Sequence, residues 1–271
     1  EFIISRSHRL DERRHQKQSS EAKTVKELMI LLPVLNEEDG LESVLSAIPY
    51  HPLRDLGWSP NVVIVDGNSS DNSRQIGENS GCKVLVQPTK GKGEGIRVGF
   101  EYAIKNNFDA VVMFDADRTY HPDDMLDMLP LLKKGQIIVG NRLTNQMHPN
   151  AMTTQNWIGN HLLTWSAVML FGLEIHDVCS GYWVFDKAAL NKMNLNSMDF
   201  EIEAEMYAEC AVANIQIRNY PVQYQPRIGV PKLGSVRDGS SILKKLIIRR
   251  LFPHPVDAEL GRGKLSLHPN Q

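Results

Sequence analysis

Apolar positions fall in blocks along the first half of the chain. Strand-length runs begin at Leu28 (LMILLPVL), Asn61 (NVVIVDG), Lys83 (KVLVQ), Ala110 (AVVMFDA) and Ile137 (IIVGNR). Between them lie EEDGLESVLSAI, SSDNSRQIGENSG, GEGIRVGFEYAIKN and HPDDMLDMLPLLKK, which carry helical spacing. Continuous apolar runs suit strands covered on both faces. The β-α-β-α rhythm predicts an α/β fold, a mostly parallel sheet flanked by helices. Ligands of such sheets bind beyond the carboxyl ends of the strands.

Those ends read Pro33-Val34-Leu35-Asn36-Glu37, Asp66-Gly67-Asn68-Ser69, Gln87-Pro88 and Asp115-Ala116-Asp117. Three of the four bring an acid to one rim. In extended chain Asp115 and Asp117 point to the same side and repel unless something positive sits between them. That is the shape of a divalent-cation site, and carboxylate oxygens suit Mg²⁺ or Mn²⁺. Gly91-Lys92-Gly93-Glu94-Gly95 opens a helix, where backbone N–H groups and the Lys92 charge face an anion; a loop with glycines for turns is the alternative. Asn36 reads either as a ligand or as the cap of the helix that follows.

After Arg142 the rhythm weakens. RLTNQMHPNAMTTQN reads as a loop, and Trp157 to Ile175 as a buried or interfacial helix, since polar residues interrupt it short of the ~20 apolar residues that span a bilayer. DVCSGYWVF reads as an irregular strand, residues 199 to 213 as a helix and IQIRNYPVQYQPR as a strand. Glu201, Glu203, Glu205 and Glu209 partly track a solvated helix face. Near the end, SSILKKLIIRRLF sets Leu243, Leu246, Ile247 and Leu251 on one face with Lys245 and Arg249 off it. This basic amphipathic helix suits an anionic membrane surface or docking on its own domain.

Three divisions follow: a polar basic tail over 1–24, a domain over 25–228, and a membrane-proximal segment and tail over 229–271. Composition adds exclusions. The chain of 271 residues is 42% hydrophobic and 23% charged, with a formal net charge of -2, which gives no reason to expect nucleic acid as a partner. Three scattered cysteines, Cys82, Cys179 and Cys210, signal neither a disulfide framework nor a zinc site and are read as reduced thiols. No signal peptide is visible, and the chain does not begin with Met.

In this order, LLPVLNEEDG, VVIVDGNSSDNS, GKGEGIRVGF, FDADRTYHPDDM, VGNR and DVCSGYWVF resemble the family 2 inverting glycosyltransferases of the GT-A (Rossmann-like) fold. VDGNSSDNS, GKG, DADRTYHPDD, FEIEAEM and the RDG at 237–239 are most like the archaeal dolichyl- or polyprenyl-phosphate sugar transferases of S-layer protein N-glycosylation. The resemblance covers about Leu28 to Arg249. It implies a single catalytic domain that moves a sugar from a nucleotide donor (UDP-glucose, UDP-N-acetylglucosamine or GDP-mannose) to dolichyl or polyprenyl phosphate. The C-terminal amphipathic helix would sit at the cytoplasmic face of the membrane as a peripheral contact.

The resemblance also implies site residues. Asp66 meets the nucleobase, and Pro33, Asn36 and Glu37 line the nucleoside. Lys92 and the Asp115-Ala116-Asp117 segment meet the donor phosphates. Asp115 and Asp117 hold Mg²⁺ or Mn²⁺, with Thr119 as a further contact. Arg142 approaches the phosphates, while Ser180, Glu203, Arg227 and Lys232 lie on the acceptor or phosphate side. Two departures stand out: Gly67 replaces the second Asp of the commoner VDDGS, and Trp183 stands where the family often has Arg. Trp183 is read as packing. The rival readings are a glycosyltransferase with a saccharide or protein acceptor, in which a glutamate of the 201–209 helix is the base, and a nucleotide-binding module without catalysis.

Overall fold

The computed structural model describes residues 25–227 and 235–253. The 1–24 tail and Lys232 lie outside them. Seven strands form one sheet: β1 (Lys26–Val34), β2 (Trp58–Asp66), β3 (Lys83–Val86), β4 (Ala110–Met113), β5 (Gln136–Asn141), β6 (Trp183–Asp186) and β7 (Gln216–Pro221). Their order is β3-β2-β1-β4-β6-β5-β7. Neighbours are parallel except at β6, which runs antiparallel to both β4 and β5.

The long apolar runs become strands because both faces of the sheet are covered. Along β1, Met29 and Leu31 belong to one core, while Leu28, Ile30, Leu32 and Val34 belong to the other. All four residues of β4 are buried. Burying each such aliphatic side chain contributes roughly 1.5–3 kcal/mol, so polar residues are left to the strand ends. The helices are α1 (Glu38–Ser46), α2 (Tyr50–Asp55), α3 (Ser73–Asn79), α4 (Lys92–Lys105), α5 (Asp124–Met128), α6 (Thr154–Phe171), α7 (Lys187–Leu190), α8 (Ile202–Val212) and α9 (Ser235–Leu251).

Register carries these elements to a common rim. Val34 pairs with Asp66, and Leu31 with Met113, so β1, β2 and β4 finish together. β5 ends at the same rim in Asn141-Arg142. Because β6 is antiparallel, it begins there: Trp183 lies opposite Met113, and residues 177–182 cross the rim before it. The irregular strand expected over DVCSGYWVF is a strand only from Trp183. Trp183 is fully buried, stacks on Phe185 and donates its indole N–H to the Ser180 carbonyl, so it packs as expected.

Helix α9 packs along α6 and α8. Ile242 and Leu246 enter the core. Arg249, expected among the outward cations, is instead buried beneath the helix and pairs with Glu209, with Glu205 3.9 Å away. Lys245 reaches the same Glu205 at 3.6 Å.

Candidate active site

At the rim a cavity of about 270 Å³ is lined by Pro33, Glu37, Lys92, Asp115, Ala116 and Arg227, among others. A larger open hollow of about 650 Å³ lies at the amino ends of β1 and β2, around Lys26, Trp58 and Asp109. It is away from the strand ends where ligands of such sheets bind.

Asp115 and Asp117 follow β4 after Phe114, and each forms its direct ion pair with a different cation. The Lys92 ammonium lies 2.7 Å from Asp115 Oδ1 and 2.7 Å from Glu203 Oε1. Asp117 Oδ1 accepts from the Thr119 backbone N–H (3.0 Å) and hydroxyl (2.5 Å), while Oδ2 meets the Arg227 guanidinium at 3.1 Å. Arg227 also reaches Glu37 Oε1 at 3.2 Å. Two cations from distant parts of the chain thus relieve the repulsion between neighbouring acids.

Burial pushes the Asp115 and Glu203 carboxyls up, and their partners decide the outcome. Asp115 is held below the ordinary carboxylate range because Lys92, Arg227 and Arg142 together outweigh its burial. Glu203 stays above that range: burial dominates, Lys92 opposes it and Asp115 adds to it. Burial alone would lower the Lys92 ammonium, yet the two carboxylates raise it, so it is held protonated.

Two glycines make the arrangement fit. Any Cβ on Gly181 would collide with the Asp115 carboxylate. Its N–H is free of that carboxylate and donates to the Tyr120 hydroxyl at 2.7 Å. Gly91 sits at φ 111°, and a Cβ there would strike the Met198 carbonyl. The Gln87 side chain donates to the Thr89 carbonyl (2.6 Å) and the Gly91 carbonyl (3.1 Å), which sets the loop that launches Lys92.

The remaining predicted residues lie around this centre. Asp66 is buried and receives the Ser69 N–H (3.1 Å) and the Arg74 guanidinium (2.6 Å). Burial raises its carboxyl, but the bonds from Ser69 and Arg74 bring it below the ordinary range. Asn36 does not cap α1. The cap position is Glu37, and the Asn36 side chain accepts from the Ser70 N–H at 2.8 Å, tying the end of β1 to the loop after β2. Its φ of 50° is a left-handed conformation that asparagine tolerates. Ser180 is buried, and its hydroxyl accepts from the Tyr182 N–H at 3.2 Å. Arg142 is buried and forks onto Asp177 at 2.7 and 2.8 Å, with its guanidinium 5.3 Å from the Tyr224 ring centre.

The glutamates of α8 depart from the solvated face that their spacing suggested. Glu203, Glu205 and Glu209 are all buried. Their partners, Lys92, Lys245 and Arg249, come from α4 and α9, so no local pattern announces them. Glu205 also accepts the Asn196 and Ser197 N–H groups at 2.9 and 2.7 Å. Asp177 was not singled out in the sequence, although it opens the DVCSG motif, and Gln87 was named only as a strand end. Arg74 carries no signal at all.

Among the described residues no group of three His, Cys, Asp or Glu side chains converges as an ion site. The donor set at the rim is two carboxylates with one oxygen of Asp115, Oδ2, facing Gly181 rather than Lys92. Mg²⁺ commonly takes one or two carboxylates and completes its shell with substrate phosphates and water. Asp115 and Asp117 supply that donor chemistry, with both Asp117 oxygens engaged by Thr119 and Arg227 in this structure.

Comparisons with known proteins bear on the family and the fold. The sequence profile of glycosyl transferase family 2 matches residues 29–193. Glycosyltransferase AglJ of Haloferax volcanii is 34% identical over 84% of this chain and 73% of its own length. The UDP-N-acetylglucosamine–dolichyl-phosphate N-acetylglucosaminyltransferase of Methanococcus voltae is 26% identical over 69% of this chain and 78% of its own. Among solved structures, glucosyl-3-phosphoglycerate synthase of Mycobacterium tuberculosis, in complex with Mn²⁺, UDP and glucosyl-3-phosphoglycerate, superposes with TM-score 0.63 at 18% identity, over 84% of this chain and 81% of that one. With the profile spanning more than half of the sequence and a mostly parallel sheet of the GT-A type beneath it, the chain belongs to glycosyltransferase family 2 and is a hexosyltransferase enzyme.

Proposed function

We propose that the enzyme transfers a sugar, with inversion, from a UDP-sugar to dolichyl or another polyprenyl phosphate. The observation that carries the reading is the paired-charge ring of Lys92, Asp115, Asp117, Arg227 and Glu37 around the rim cavity. A nucleotide diphosphate brings negative charge that Lys92 and Arg227 are placed to meet, and Asp115 and Asp117 would hold a divalent ion beside it. When bound, the ion would neutralise charge growing on the leaving diphosphate. Asp66, Pro33, Asn36 and Glu37 are assigned to the nucleoside side, and Arg142 and Ser180 to the phosphate and acceptor side.

The state of Glu203 supports a phosphate acceptor. A sugar hydroxyl needs a carboxylate base, but Glu203 is committed to Lys92 at 2.7 Å. A phosphate monoester is already ionised at neutral pH, so its oxygen needs positioning and charge management instead. The Methanococcus voltae relative named for dolichyl phosphate and the UDP held by the structural neighbour support the same acceptor and donor class. We place the enzyme as a peripheral protein on the cytoplasmic leaflet, where nucleotide sugars are available. No helix among the described residues is long and apolar enough to cross a membrane.

The test is to incubate the purified enzyme with dolichyl phosphate, Mg²⁺ or Mn²⁺ and labelled UDP-glucose, UDP-N-acetylglucosamine or GDP-mannose. Label extracted with lipid from a UDP-sugar supports the reading. Label on an added saccharide or protein alone, with none in lipid, rejects it.

A further inference from the structure

Among the described residues, nine of the fifteen exposed large apolar side chains belong to α6 and α9, two helices packed against each other, and a tenth, Phe252, follows α9. On α6 the outward set Ile158, Leu162, Trp165 and Met169 recurs at four-, three- and four-residue steps, the spacing of one helical face. Leu162, Trp165 and Met169 are 61%, 63% and 67% exposed, and Trp157 adds a second indole. The same helix buries Thr164 and Ala167 against the core. It contains no Asp, Glu, Lys or Arg over its 18 residues. On α9 the outward set is Leu243, Ile247, Ile248 and Leu251, followed by Phe252. Nothing among the described residues covers either stripe.

Scattered apolar residues on a surface need no explanation, but a contiguous stripe along a helix does. The occupant follows from charge and chemistry. Lys244 and Arg250 of α9 are exposed beside the α9 stripe, whereas Lys245 and Arg249 are consumed by Glu205 and Glu209. The single acid of α9, Asp238, lies at its other end. Outward indoles, an uncharged apolar face and unopposed cations beside it match an anionic headgroup layer over an apolar one. An acidic protein partner would satisfy the cations but leave the uncharged length of α6 without a match.

We infer that the outward faces of α6 and α9 together form the surface on which the enzyme lies in an anionic bilayer, with Trp165 and Leu162 seated below the headgroups and Lys244 and Arg250 among them. This rests on the lipid-acceptor reading for its purpose, but its evidence is separate. α6 packs on the segment that crosses the rim, since the Thr164 hydroxyl accepts the Val178 N–H at 3.1 Å, one residue beyond the Asp177 that holds Arg142. A bilayer under α6 would therefore lie beside the acceptor side of the site.

The experiment is vesicle sedimentation without donor or acceptor, using phosphatidylcholine with and without phosphatidylglycerol. Wild-type enzyme is expected to pellet with the anionic vesicles. L162E/W165E should weaken binding at least about tenfold, because each seated apolar side chain is lost and a charge is added at the interface. K244E/R250E should weaken binding to anionic vesicles by about thirtyfold or more and change binding to neutral ones little. Circular dichroism and UDP binding should match wild type in both variants, since neither pair lines the rim cavity. Failure of the wild type to pellet, or unchanged pelleting of L162E/W165E, overturns the inference. So does a dimer in sedimentation equilibrium that L162E/W165E dissociates while vesicle binding is absent, which would make this face a contact between two copies. If vesicle binding behaves as expected while no polyprenyl phosphate is glycosylated, the docking surface stands and the acceptor reading falls.

Discussion

Asp115 and Asp117 lie one residue apart yet answer to different cations, and this division predicts different phenotypes. Asp117→Asn should lower sugar transfer by about 10²–10³-fold, the usual cost of removing one group that stabilises developing charge, while thermal stability changes little beside it. Steady-state rates at saturating Mn²⁺ alongside a melting curve check both parts. Lys92→Ala acts differently. It leaves the buried Glu203 and the partly exposed Asp115 without their counter-ion, and breaking the buried pair with Glu203 costs about 3–5 kcal/mol. Chemical denaturation should show that loss, whereas an essentially unchanged midpoint would mean that the two acids are solvated. The sequence showed both acids and Lys92 as candidates because strand ends and a glycine-rich helix start are local signals. It did not show that Lys92 bridges Asp115 and Glu203, because that contact joins α4, the rim and α8 across more than a hundred residues.

At the scale of elements, period and length made most strands and helices visible, since an apolar run of a strand's length can be buried only in a sheet covered on both faces. The misreading falls where burial is polar. Helix α8 carries glutamates that looked solvated and are buried, whereas α6, read as buried or interfacial, has an apolar outward side. Helix α9 is held by the same polar burial. Arg249→Ala should destabilise the protein by about 3–5 kcal/mol through the uncompensated Glu209 and Glu205, whereas Lys244→Ala, exposed on the same helix, should stay within about 0.5 kcal/mol of wild type. Denaturant midpoints of the two variants make the comparison. Equal effects would show that Arg249 contributes no more than a surface cation.

For the molecule as a whole, the rim couples stability to pH in two opposite senses. The Asp66 carboxyl is lowered on folding, so it contributes stability above its unfolded value of about 3.9, and that contribution is lost as pH falls through the lower folded value. The Glu203 carboxyl is raised, so its contribution is complete below about 4.3 and is lost as pH rises through the higher folded value. The stability advantage of wild type over Asp66→Asn should therefore shrink on acidification. Relative to Glu203→Gln, wild type should gain on acidification. Urea titrations at several pH values give both slopes, and slopes of the same sign would contradict the assigned environments.

We propose that this family 2 fold uses its paired-charge rim to place a sugar on a lipid phosphate. Mass spectrometry and ³¹P NMR of the lipid extract after incubation with a UDP-sugar, dolichyl phosphate and Mn²⁺ test it most directly. The account predicts a new dolichyl phosphodiester whose sugar has the anomeric configuration opposite to that of the donor, absent with Asp117→Asn. Unmodified dolichyl phosphate beside sugar transferred to a soluble acceptor, or a product that retains the donor configuration, would contradict it.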